Sequence, residues 1–185
     1  MVSKPRVLVR RIYFDLLGLP PTPDQVDEFL KNSAKDQESS IGNLVDSLLE
    51  SSHYGERWGR HWLDVARYAE DQAHTFGVKK RANAHQYRDW VIKMFNEDLP
   101  FDKFIKFQLA GDLIENESED RFRKFAGLGF LGLGAQYYKN SDKAQAEADE
   151  LDDTIDTIGN LIYSVVEYHG IVPRIKNSMI APNTL

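Results

Sequence analysis

The stretch YGERWGRHWLDVARYAE, residues 54–70, decides the architecture. Tyr54, Trp58, Trp62, Val65 and Ala69 succeed one another at spacings of four, four, three and four, which puts them on one face of an α-helix. A half-buried strand would alternate apolar and polar at every second residue, and that pattern occurs nowhere in the chain over a useful length. Arg57, His61, Asp64 and Tyr68 are spaced by four, three and four, so their side chains are neighbours along one flank. Residues 54–70 therefore predict a helix with tryptophans at the centre of its buried face and a polar flank beside them.

Upstream, Leu8, Ile12 and Leu16, with Val9, Tyr13 and Leu17 beside them, predict a helix over residues 7–17 that stops at Gly18. LPPTPDQ, residues 19–25, reads as a stop and restart: two prolines break the chain, Thr22 caps, Pro23 suits the first helical position and Gln25 completes a capping box. A short second helix follows to about Leu30. Ile41, Leu44, Val45, Leu48 and Leu49 give the clearest amphipathic stripe in the sequence, ended by the Ser51-Ser52 break.

Downstream, residues 71–84 hold Gly77, the basic run Lys79, Lys80 and Arg81, and no apolar period, which predicts a long loop of the kind that forms a lid or an edge. Tyr87, Trp90, Val91 and Met94, with Ile92 and Phe95, predict a helix buried on two sides. Phe101, Phe104, Ile105 and Leu109 follow Pro100 as another, closed by Gly111, and a short helix is expected over residues 119–125. The glycines of GLGFLGLGA, residues 127–135, oppose helix while its leucines and phenylalanine demand burial, so this piece is expected as buried irregular or frayed helix. From Ala144, Leu151, Ile155, Ile158, Ile162 and Val165 define the longest helix, opposite an acidic face of Glu147, Asp149, Glu150, Asp152, Asp153 and Asp156. The expected fold is all-α: a single orthogonal bundle of about seven helices without a substantial sheet, over residues 1–166, followed by an irregular tail over residues 167–185.

Composition narrows function by exclusion. A chain of 185 residues with 42% hydrophobic content fills one core, and its net charge of -6 argues against nucleic acid as a partner. With no cysteine there is no disulfide, no thiolate-held zinc or iron–sulfur site, no thiol nucleophile and no thioether attachment for haem, so covalent haem is excluded. The N-terminal MVSKPRVLVRRIYFD is no signal peptide, because charges interrupt its apolar stretches, and no run reaches the ~20 apolar residues of a membrane span.

Three groups of residues offer chemistry. The first is Arg57, His61, Asp64, Arg67 and Tyr68: Asp64 is placed to orient the His61 imidazole for acid–base work or metal ligation. The simpler reading is a boundary network that satisfies polar groups beside a tryptophan-rich core. The second is the set His61, Asp64, Glu70, Asp71, His74 and His85, which offers nitrogen and carboxylate ligands to a divalent metal if the loop folds back. The third is a basic, aromatic edge of Lys79, Lys80, Arg81, Arg88 and Trp90, with Tyr87, suited to a sulfated or carboxylated sugar, although a charge run is more simply a solvated face. There is no second histidine of a zincin motif, no serine nucleophile elbow, and residues 127–134 neither follow a strand nor open a helix as a dinucleotide fingerprint does.

Four strings in order, RRIYFDLLGLPPTPDQVDEFL, YGERWGRHWLDVARYAE, YRDWVIKMFNEDLPFDKFIKFQLAGDL and DELDDTIDTIG, make the chain similar to a bacterial domain of unknown function associated with planctomycete c-type cytochromes, from about Arg10 to Gly159. The resemblance implies a domain of a large exported or periplasmic protein, with a cytochrome-like domain among its neighbours. It assigns no catalytic residue. It implies a Cys-x-x-Cys-His string after the acidic helix, where this chain reads NLIYSVVEYHGIVPRIKNSMIAPNTL without cysteine, so an altered or truncated end from about Tyr163 is expected. The expected role is an accessory module that packs against neighbouring domains or a redox partner and carries no cofactor. The alternatives are a metal-binding or hydrolytic domain acting on polysaccharide, and a non-covalent haem site with His61 or His85 as axial ligand.

Overall fold

The computed structural model describes residues 4–74, 77–114, 125–133 and 142–167. The first helix, α1 (Pro5–Leu17), begins on the proline and ends at Gly18, whose φ of 70° lets its N–H turn back to the Phe14 carbonyl at 3.0 Å. The predicted capping box is formed: Gln25 N–H donates to Thr22 Oγ1 at 3.3 Å, Thr22 N–H donates to Gln25 Oε1 at 2.8 Å, and α2 (Pro23–Ser33) starts there. Asp36 caps α3 (Gln37–Leu49) by accepting from Ser39 N–H. These three helices enclose a first core of Val9, Tyr13, Leu16, Phe29, Leu48 and Leu49, completed by Tyr54 from the next helix.

That next helix, α4 (Ser52–Val65), is shorter than the spacing predicts. Arg67 takes a left-handed φ of 53°, Tyr68 N–H reaches back to the Leu63 carbonyl at 2.9 Å, and Arg67 N–H donates to the Asp64 carbonyl. This is the Schellman ending that glycine usually provides, here built on an arginine. A second copy closes α5 (Ala84–Asn96), where Asp98 has a φ of 51° and Leu99 N–H donates to the Met94 carbonyl. Neither stop carries the Gly or Asn that would announce it.

The segment expected as a loop contains a short antiparallel hairpin, β1 (Asp71–His74) paired with β2 (Gly77–Lys80), with Asp71 opposite Lys80 and His74 opposite Gly77. Arg81 N–H donates to the Glu70 carbonyl at 2.8 Å and shuts its base. Four-residue strands with no alternation leave no periodic trace in the sequence. Among the described residues this hairpin is the only sheet, and the architecture is the expected all-helical bundle.

Helix α6 (Phe101–Ala110) runs into a 3₁₀ turn at Gly111–Leu113, and the glycine-rich piece is a 3₁₀ segment, Gly127–Gly132, in agreement with the irregular helix expected there. The last described helix is α7 (Lys143–Glu167), the longest, which brings the described α-helices to seven. The helix expected over residues 119–125 and the tail beyond Glu167 lie outside the described residues, apart from Phe125. No described helix is long and apolar enough to cross a membrane.

The second core lies between α4, α5, α6 and the 3₁₀ segment, around Trp62, Tyr87, Trp90, Met94, Phe104, Phe107 and Phe130. Trp90 stacks on Phe104 with ring centroids 5.1 Å apart, and Trp62 meets Phe104 edge-on at 4.7 Å. Helix α4 approaches α5 closely because Gly55 faces it: a Cβ there would lie 2.5 Å from the Ile92 carbonyl oxygen. Asn96 uses the same gap, accepting from Gly55 N–H at 2.8 Å and donating to the Ser52 carbonyl.

Candidate functional site

The early end of α4 rearranges the polar flank read from its sequence. Arg57, His61 and Asp64 remain on the helix, whereas Arg67 and Tyr68 leave it. Arg67 Nη1 pairs with Asp153 of α7 at 2.8 Å, so its left-handed backbone is anchored across the molecule. The Tyr68 ring packs beside Tyr87, with centroids 6.4 Å apart, and its hydroxyl donates to Glu70 Oε1 at 2.9 Å. Arg88 of α5 donates to the same carboxylate oxygen and also holds Asp89 at 2.9 Å.

The structure thus joins one residue from each of the three candidate groups: Tyr68, Glu70 and Arg88 meet at the base of the hairpin. Partial burial and the bond to Glu70 push the Tyr68 hydroxyl up to about 12, so it stays a proton donor to the carboxylate at neutral pH. The hydrogen bond to Asp89 raises Arg88 in turn. Chemically this is a carboxylate held through Oε1 between a phenol and a guanidinium. That arrangement ties the base of the hairpin to α5.

On the remaining flank, His61 lies against the Trp58 ring, centroids 5.5 Å apart, and Asp64 is exposed. Among the described residues no hydrogen bond or ion pair joins His61 to Asp64. Arg57 extends over the end of α1, where its Cδ would stand 2.8 Å from a Cβ on Gly18. Its Nε is sealed from solvent, as is the Trp58 indole N–H, and neither has an acceptor among the described residues.

The proposed metal ligands fall on several elements. Asp71 and His74 lie on β1, His85 is exposed in the first turn of α5, and Glu70 is engaged as described. No group of three His, Asp or Glu side chains is placed to hold a metal ion among the described residues. The basic edge is also divided: Lys79 and Lys80 are on β2, while Arg81 Nη1 donates to the Gly132 carbonyl at 2.7 Å and ties the hairpin to the 3₁₀ segment. Trp90 is not on that edge at all. It is fully buried in the second core, because its position on α5 faces α6 rather than solvent.

One constellation escaped the sequence reading. Gln108 is fully buried, and its Oε1 accepts from both Trp62 Nε1, at 3.0 Å, and the Tyr87 hydroxyl, while its Nε2 donates to the Phe104 carbonyl at 3.2 Å. Trp62 Nε1 also reaches the Tyr87 oxygen at 3.0 Å. The signal was a lone glutamine at a helix position flanked by Phe104, Phe107 and Leu109, where an amide survives only if its bonds are met inside. Burial raises the Tyr87 hydroxyl far above its ordinary value, so it serves as a fixed hydrogen-bonding group.

No curated protein and no solved structure matches this chain. A family match does: residues 2–166 correspond to PSCyt2, described as a protein of unknown function (DUF1549). The match takes in both cores, the hairpin and nearly all of α7, and on that extent the chain belongs to the PSCyt2 family.

Proposed function

We propose that this domain is a helical accessory module of a larger exported, cytochrome c-associated protein, and that it works by docking against a neighbouring domain or redox partner. The exported, cytochrome-associated setting follows from the family resemblance of the four sequence strings. The observation that carries the docking role is on α7. Its inner side is held by the buried Thr157, by Ile158 against the second core and by the Asp153–Arg67 pair. One turn apart on the same helix, Leu151 and Ile155 are 60% and 56% exposed.

Two large aliphatic side chains held at i, i+4 on an ordered helix form the minimal pattern of a helix-face contact. Acidic neighbours Glu147, Asp152 and Asp156 are also exposed, so the complementary surface is apolar with a basic rim. The Leu151→Asp/Ile155→Asp chain tests this. Its far-ultraviolet circular dichroism and midpoint of unfolding are expected to match the parent, while its sedimentation with the adjoining cytochrome domain is lost. Equal association of parent and variant, or none by the parent, sinks the proposal.

A further inference from the structure

Helix α1 sends Val9, Tyr13 and Leu16 into the first core and turns a different stripe outwards. Val7, Arg10, Arg11 and Phe14 stand at i, i+3, i+4 and i+7, and all four are exposed, Val7 by 44% and Phe14 by 36%. At about 100° per residue, Phe14 falls roughly 20° from Val7, with Arg10 about 60° to one side and Arg11 about 40° to the other. The stripe is therefore an apolar line with a basic rim on both flanks. Arg10 lies 4.8 Å over the Phe14 ring, and Lys4 and Arg6 are exposed beside it.

Helix α7 carries the same layout in the opposite sign. Leu151 and Ile155 form the line, Glu147 stands to one side, and Asp152 and Asp156 stand to the other, all of them exposed. Each face also holds a like-charge pair at i, i+4, Arg6 with Arg10 and Asp152 with Asp156. Such pairs weaken a helix and are relieved by opposite charge brought across them. Arg6 has Asp27 at 3.7 Å, with both side chains well exposed, which is a weak pair. Because both faces are open to solvent, they do not cover each other within one copy, and they stand over different cores.

We propose that the α1 face of one copy takes the α7 face of a second copy, joining copies head to tail. Arginine and aromatic side chains are enriched at the centres of protein contacts, which favours a protein surface over α1, and the surface of fitting sign and layout is on this chain itself. The inference rests on α7 being a docking face, as in the preceding proposal, and adds that a second copy and the adjoining cytochrome domain compete for it.

Sedimentation equilibrium of the full chain at rising concentration reads this contact without the cytochrome domain. The parent is expected to associate reversibly, and more weakly as sodium chloride is raised from about 0.05 to about 0.5 M. Arg6→Glu/Arg10→Glu and Asp152→Lys/Asp156→Lys are each expected to weaken association by about tenfold or more, with an unchanged circular dichroism spectrum. In an equimolar mixture of the two variants every junction between unlike chains pairs opposite charges, so association is expected to return. A parent that stays monomeric up to about 1 mM, association indifferent to both charge swaps, or a mixture that stays monomeric overturns the inference. Docking of α7 on the cytochrome domain is scored separately with Leu151→Asp/Ile155→Asp, so the two failures are distinguishable.

Discussion

Arg57 lies across Gly18 so closely that a β-carbon on the glycine would stand 2.8 Å from Arg57 Cδ. The glycine is needed twice at this point, once for its left-handed φ of 70° and once for the space it leaves. Gly18→Ala is expected to destabilise the chain by about 1–3 kcal/mol. In the double variant with Arg57→Ala, only the steric part is recovered. A double-mutant cycle by urea denaturation measures that coupling, and strict additivity would remove the close contact from the explanation.

The two arginine- and aspartate-built helix stops make an opposite prediction. Asp98, at a φ of 51°, has no glycine-like freedom, so Asp98→Gly is expected to stabilise by about 0.5–1 kcal/mol. Arg67→Gly relieves the same strain but loses the Asp153 pair, and the net change is expected to be smaller. Thermal unfolding of the two variants side by side ranks them.

Gln108 is the hub of the buried polar network, and its replacement is expected to cost more than that of its partners. Gln108→Leu removes the acceptor shared by Trp62 and Tyr87 and is expected to cost about 2–3 kcal/mol. Tyr87→Phe leaves Trp62 its bond to Gln108 and is expected to cost about half as much. A reversed order in denaturant midpoints would show that the tyrosine, not the amide, organises the network.

Alkaline stability follows from Tyr68 and Tyr54, both held up to about 12 against an ordinary 10.0 by burial first, with Glu70 and Asp98 respectively adding to it. Between those values the unfolded chain has released protons that the folded chain keeps. Stability is therefore fully present below pH 10 and is lost as pH rises towards 12. The Tyr68→Phe variant is expected to show a shallower decline over that window in a series of denaturation curves.

The helices were legible wherever burial repeats along one segment. The stripes through Leu8 to Leu17, Ile41 to Leu49 and Phe101 to Leu109 each state their own period, and the capping box at Thr22 and Gln25 is a local chemical bargain that sequence displays directly. What stayed hidden depends on residues far apart or on backbone angles without their usual residue. No local rule announces that Arg67 turns left-handed, and for that reason the helix expected to run on to Glu70 ends at Val65, before Tyr68. The bond between Trp62 and Gln108 joins positions 46 apart, and Tyr68, Glu70 and Arg88 meet only because the hairpin folds back.

Helix α4 gives Tyr54 to one core and Trp62 to the other, two turns apart on a single rod. Rotating that rod to loosen either end twists the other end with it. The interior amides of α4, those hydrogen-bonded within the helix, should accordingly exchange with solvent at similar, slow rates, whichever core they lie nearer.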